Sequence, residues 1–270
     1  MRLVPHYRNV SLESGSLMHE MLELHYNLVK AQELPLGEII REAVDHGRRL
    51  TIEQDLSPSD SESMVKAYQE YAMFYKDDQW EPLYVEQKFS KVLYERQDEI
   101  DLECCEPEKS CPEHEGLTIL LEGKIDLIAH HRVHNQTYIW DHKTTSRAST
   151  PVKLSNQFAA YCWATGVNQA ILNQIGLQKT LASNEKYKRH MISYSDAALK
   201  EWKDNTIWWC NLLDQFLKHQ SFPMNWTACT KFGKPCPYLD ICQAHPEARQ
   251  SKISQGFIQV QHDLFEVEND

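Results

Sequence analysis

Residues 117–145 read LTILLEGKIDLIAHHRVHNQTYIWDHKTT. The first fifteen are mostly apolar and β-forming and predict a strand over 117–131; RVHNQ reads as a turn, and TYIWDHKTT predicts a second strand over 137–145. Ahead of them PLYVEQKFSKVLY, around residues 83–94, predicts a third. Working outward from this three-strand meander, apolar residues recur at helical spacing over 11–31, with Leu17, Leu24 and Leu28. Two more helices are expected at 37–54 and 61–76, separated by the Ser/Pro/Asp-rich LSPSDSES. Helix returns near 155–175 and again at 195–219, where Trp202, Ile207, Trp208, Leu212 and Phe216 line one side. Helices, meander and helices in that order imply a mixed α/β (α+β) core, a central sheet flanked by helices.

The same stretch carries the chemistry. Asp126 and Asp141 lie at similar distances from the Asn135 turn, so an antiparallel pairing brings them close across the ladder. Two carboxylates held together repel unless a cation sits between them, and oxygen ligands at that density suit Mg²⁺ or Mn²⁺. Lys143 follows Asp141 by two positions, so both side chains leave one face of the strand. An ammonium group beside a divalent metal and a phosphate can steady developing negative charge. For a D-x-K motif standing alone, the alternative is a strand-end ion pair.

The chain has 270 residues and a net charge of −11. Residues 95–115 carry −7 and the last eight residues −4, so the rest of the chain is balanced. From His142 to Asn184 there is no acid, only Lys143, Arg147, Lys153 and Lys179. That leaves room for a local basic face toward a polyanion, against the alternative of a merely neutral segment. No apolar run approaches the roughly 20 residues of a membrane helix, and MRLVPHYRNV has no apolar signal region. A cytoplasmic location in a bacterial or phage-infected cell is therefore expected, with cysteines as thiols or metal ligands.

Gly123-Lys-Ile-Asp126, then Asp141-His-Lys143, then Gln157-Phe-Ala-Ala-Tyr161 occur in one order, and Gly15-Ser-Leu-Met-His19 precedes them. This arrangement resembles the PD-(D/E)XK nuclease superfamily, and within it the RecB-type exonuclease group with its phage and CRISPR-adaptation relatives. The resemblance runs from about residue 15 to about 242. It implies a restriction-endonuclease-like core, with Asp126 and Asp141 as metal-binding acids, Lys143 as the catalytic lysine and His19 completing the metal site. It also places Gln157 and Tyr161, i and i+4 on one helix face, where they orient Lys143 or meet the DNA backbone. His142 fills the variable position; its backbone carbonyl is a candidate ligand, and its side chain is expected on the opposite face. Glu86, on the preceding strand, is a candidate for holding water at the metal, with a solvent-facing strand Glu as the alternative.

Eight cysteines remain to be placed. Cys229, Cys236 and Cys242 follow one another at C-x6-C-x5-C spacing. RecB-type relatives often hold a [4Fe–4S] cluster on three such cysteines and one near the N-terminus, which implies a cluster here. No cysteine precedes His19, however, so the fourth ligand is open. His245, three positions after Cys242, offers the alternative of a Cys₃His zinc site. Cys104, Cys105 and Cys111 fall in the acidic stretch, and Cys162 and Cys210 in apolar helices. The expected organisation is a nuclease domain over 1–220, with an acidic insertion near 95–115, and a Cys-rich tail over 221–270 packed on it.

The function expected from all this is a metal-dependent DNA nuclease. An exonuclease acting on single-stranded DNA ends in repair, recombination or phage DNA processing fits best, with a helicase or recombination partner. Two rivals stand beside it: a catalytically silent nuclease fold that binds DNA, and a partner-directed protein whose acidic insertion mimics DNA.

Overall fold

A computed structural model of the chain describes residues 2–5, 10–96, 116–145, 155–178, 182–231 and 234–260. Most of the acidic stretch, with Cys104, Cys105 and Cys111, lies outside these residues, as do Arg147, Lys153, Lys179 and the acidic C-terminus. The chain divides into two compact units, Val10–Cys210 and a second made of Met1–Asn9 with Asn211–Asp270.

The second unit opens with strand β1 (Arg2–Pro5). The larger unit begins with α1 (Val10–Ala31), α2 (Leu36–Glu53) and α3 (Pro58–Phe74). Each helix buries one stripe. On α1 it is Leu17, Met18, Met21, Leu22, His25 and Tyr26; on α2, Ile39, Ile40, Ala43, Val44 and Gly47; on α3, Met64, Val65, Tyr68, Tyr71 and Ala72. These positions recur at three and four, the spacing of a core-facing helix side. Pro58 at the start of α3 supplies the preset φ of a first helical residue.

Five strands follow: β2 (Trp80–Arg96), β3 (Leu117–His131), β4 (Gln136–Thr145), β5 (Gln169–Gly176) and β6 (Tyr187–Ser193). They form one sheet in sequence order, antiparallel throughout except that β4 and β5 are parallel. Asn135, with φ of 50°, closes the β3–β4 hairpin; the left-handed region is one that Asn tolerates better than most residues. Helix α4 (Asn156–Thr165) lies in the crossover between the parallel strands, and α5 (Ser183–Lys186) precedes β6. Helix α6 (Asp196–Lys218) follows β6. The first three helices pack with Leu127, Tyr138, Trp140 and Ile171 in one core; α4 and Leu199 of α6 pack with Ile125, Ile139 and Ala170 in another.

The helix expected near 155–175 is thus a helix to Thr165 and a strand from Gln169. Gly166, at φ 74°, caps α4 in the left-handed conformation and returns its N–H to Cys162. β5 lies between β4 and β6 and is buried on both faces, so its residues do not alternate and blend with the apolar helix before them. β6, YKRHMIS, has no counterpart in the expectations; it is a polar edge strand.

In the second unit, β1 pairs antiparallel with β9 (Phe257–Val260), matching Arg2 with Val260. Strands β7 (Thr230–Lys231) and β8 (Lys234–Pro235) make a small ladder, followed by α7 (Leu239–Gln243) and α8 (Arg249–Gly256).

Candidate active site

The β3–β4 ladder runs from His131↔Gln136 to Leu127↔Trp140. Asp126 and Asp141 are the next residues in that register. There the backbone pairing gives way to a side chain: the His142 N–H donates to Asp126 Oδ2 at 2.6 Å. The sheet therefore opens where the two acids stand, and Asp126 is fixed by the backbone of the D-x-K motif itself.

Asp126 belongs to a group with His19 of α1 and Glu86 of β2, whose ligand atoms all lie within 4.8 Å of one another. His19 Nδ1 is 3.6 Å from Asp126 Oδ2. Glu86 reaches the group through an unusual backbone: its φ is 49° in the middle of a strand. A non-glycine residue held there costs on the order of 1 kcal/mol, strain of a kind that collects at functional sites. Lys124, from the GKID segment, forms an ion pair with Glu86.

Asp141 is 1% exposed and heads a second group. Lys143 Nζ donates to Asp141 Oδ1 at 2.9 Å and lies at the same distance from Oδ2. Gln157 Nε2, from the first turn of α4, donates to Asp141 Oδ1 at 2.8 Å and to the Tyr161 hydroxyl at 3.0 Å. Tyr161 in turn donates to the Lys124 carbonyl at 2.8 Å. Gly123 makes room for the neighbouring Phe89 ring: a Cβ there would fall 2.9 Å from it, while the Tyr161 ring, at 3.5 Å, would be in ordinary contact. The G-x-x-D, D-x-K and Q-x-x-x-Y segments thus meet in one hydrogen-bonded chain.

His142 turns the other way. Its ring is buried, stacks on Tyr26 at 5.5 Å, and lies with Nδ1 2.7 Å from Asn173 Nδ2. Burial holds the imidazole well below its ordinary pKa, so it is neutral; His19, Arg189 and Lys143 add to this. Asn173 also donates to the Tyr71 hydroxyl at 2.9 Å. Tyr26, Asn173 and Lys124 are contributors that motif reading passed over. Only Lys124 carried a signal, its place inside GKID.

The electrostatics favour a cation. Burial, with the Asp141 and Glu86 carboxylates, raises the Asp126 pKa to about 6, against the lowering effect of His19 and the His142 N–H. Burial also raises Glu23, which faces Glu86. Lys124 ends above its usual pKa: burial lowers it, but Glu86, Glu23 and Asp126 outweigh that effect. Two carboxylates and an imidazole within one ion's reach are a donor set that Mg²⁺ or Mn²⁺ accepts, and a divalent cation relieves the crowding at Asp126.

The three C-terminal cysteines are in the other unit. Cys229, Cys236 and Cys242 are all free thiols, and the Cys236 N–H donates to the Cys229 carbonyl at 2.8 Å across the β7–β8 turn. Among the described residues they form no group within a single ion's reach, and His245 is exposed with Glu247 3.8 Å away. Among the described residues, the spacing that suggests a Cys₃His zinc site is therefore not matched by one-ion geometry. Among the described residues no helix is long and apolar enough to cross a membrane.

A solved structure titled "Crystal structure of SSO0001" is 16% identical, over 74% of this chain and 87% of its own, with a TM-score of 0.29. No curated protein matches the chain. A family model described as the PD-(D/E)XK nuclease superfamily matches residues 2–243, a span that takes in His19, Glu86, Asp126, Asp141, Lys143, Gln157 and Tyr161. The chain belongs to the PD-(D/E)XK nuclease superfamily.

Proposed function

We propose that this chain is a deoxyribonuclease of the RecB-type exonuclease group that hydrolyses phosphodiester bonds from single-stranded DNA ends in the reducing cytoplasm. The observation that carries the reading is the junction of the His19–Glu86–Asp126 group with the Asp141–Lys143 pair, made by the His142 amide on Asp126. His19, Glu86 and Asp126 hold Mg²⁺ or Mn²⁺, with Asp141 beside them. The ion, when bound, polarises the phosphate and favours deprotonation of the attacking water. Asp141, clamped by Lys143 and Gln157, keeps its carboxylate fixed. Lys143, half exposed, presents its ammonium toward solvent, where it meets the charge that builds on the phosphate. Tyr161 holds α4 against the strand that bears Asp126, and Gln157 holds it against the strand that bears Asp141. Preference for single strands draws on the resemblance to RecB-type relatives; the acid-free run from His142 to Asn184 suits a polyanion of either kind.

The test is cleavage of single-stranded DNA labelled at either end, with Mn²⁺, beside a closed circular single strand. An exonuclease releases short labelled products from one end first and leaves the circle intact. Circle cutting refutes end-dependence, and no cleavage of any substrate refutes the reading.

His19→Ala should weaken Mn²⁺ binding about tenfold or more, since it removes one of three donors from the group. Calorimetric titration checks this; affinity equal to wild type makes His19 a bystander.

The tail reading is that Cys229, Cys236 and Cys242 bind a [4Fe–4S] cluster. Anaerobically purified protein should then be brown, with about four irons per chain, and Cys236→Ser should bleach it. Colourless, iron-free protein with three titrating thiols removes the cluster.

A further inference from the structure

Helix α4 connects the candidate site to a second cluster of side chains, around Trp163. Gln157, in its first turn, touches Asp141. Its solvent side continues through Asn156, Ala160 and Trp163, positions at helical spacing that are exposed or half-buried, while Phe158, Ala159, Tyr161 and Cys162 face the core. The helix has ten residues and so spans about 15 Å. Two lysines meet at the far end. Lys91 Nζ, from β2, lies 4.8 Å from the Trp163 ring centre and donates to the Ala164 carbonyl at 3.2 Å. Lys203 Nζ, from α6, lies 5.2 Å from the same ring, and Trp202 is 6.5 Å away.

Neither lysine has a carboxylate partner among the described residues, although its neighbour Lys200 is paired with Asp204. No acid occurs on α4 either. Cation–π contact alone accounts for one lysine on a tryptophan, but not for two converging on one ring at the end of a helix whose other end holds Asp141.

We propose that the outer side of α4 is a track for single-stranded DNA. In it, Lys91 and Lys203 take backbone phosphates and the Trp163 ring stacks on a base, about 9 Å along the helix from Gln157. The small side chain of Ala160 leaves the middle of the track open. On β2, Lys91 stands five residues from Glu86, about 16 Å along the strand. The occupant is a nucleic acid single strand rather than a duplex, because stacking on a ring requires an unpaired base face. This inference rests on the nuclease reading above and names the surface that holds its substrate.

The test is fluorescence anisotropy with labelled oligothymidylate dodecamer and thymidine dinucleotide, in the Asp141→Asn background so that no cleavage occurs. Lys91→Gln and Lys203→Gln should each weaken dodecamer binding about fivefold at low salt and flatten the log–log salt slope by about 0.7. Trp163→Leu should weaken it about tenfold and Trp163→Phe by less than threefold, since Phe retains a stacking face. The dinucleotide, too short to reach the clamp, should bind all variants alike. Melting temperatures within a few degrees of the background protein show that each variant is folded, and the two lysine variants carry the test if Trp163→Leu is not. Dodecamer binding unchanged in both lysine variants overturns the track and leaves the nuclease reading standing. If the background protein binds no single strand, both fall.

Discussion

Asp126→Asn should lower DNA cleavage at least about 10³-fold and, in metal-free protein, raise the melting temperature by a few degrees. Both effects have one cause. Burial and the neighbouring acids raise the folded-state pKa of Asp126 from 3.8 to about 6. A group whose pKa is raised on folding binds its proton more tightly in the folded state, so its contribution to stability falls as pH rises from about 4 through about 6. Above that window the ionised carboxylate costs the metal-free fold on the order of 1 kcal/mol or more, and asparagine removes the cost while still accepting the His142 N–H. With Mn²⁺ in excess the order should reverse. The wild-type chain gains stability by mass action, and the variant, short of one anionic ligand, gains little. Thermal melts at pH 7.5 and pH 5, with and without Mn²⁺, check this. At pH 5 without metal the gap between the two melting points should narrow by about half. A variant that melts below wild type at pH 7.5 without metal, or that cleaves at near wild-type rate, refutes the role given to Asp126.

The parts of this molecule legible in sequence were those where one residue type implies one geometry. GKID and DHKTT flank a turn at equal distance, and period-two alternation alone sends Asp141 and Lys143 to one side and His142 to the other. Gln157 and Tyr161, one helical turn apart, had to share a face, and they do, on Asp141 and the Lys124 carbonyl. The grouping of the acids was less legible. Sequence pairs Asp126 with Asp141, but proximity in register says nothing of what each carboxylate does with its oxygens. Lys143 and Gln157 occupy Asp141, and the one-ion group forms from Asp126 with two residues of other elements. Glu86 enters it through a left-handed backbone angle that no local pattern announces. β5 and β6 were missed for opposite reasons. One is a strand buried on both faces, with no alternation to read; the other is an edge strand too polar to register as one. Asn173 and Tyr26, which pin the His142 ring, depend on packing between distant segments and leave no trace in spacing.

Lys143→Ala should reduce turnover about 10²–10³-fold while leaving Mn²⁺ affinity within about threefold of wild type. The two readouts separate because Lys143 is not in the His19–Glu86–Asp126 group; its ammonium contacts Asp141. Removing it takes away the positive charge presented to the phosphate and one of two donors on a carboxylate that is 1% exposed. Gln157 remains on Asp141 Oδ1, so the acid keeps a partner and the fold should survive with a modest loss of melting temperature. Lys143→Arg distinguishes charge from position. It retains the cation but places it on a planar, longer head group, so it should recover stability more fully than turnover. Single-turnover rates at saturating Mn²⁺, set beside calorimetric Mn²⁺ titrations, measure the split. If Lys143→Ala cleaves within tenfold of wild type, the lysine is only Asp141's counter-ion. If instead Mn²⁺ affinity collapses along with the rate, Asp141 acts as a metal ligand that Lys143 holds in place, and the division of the site into two groups is wrong.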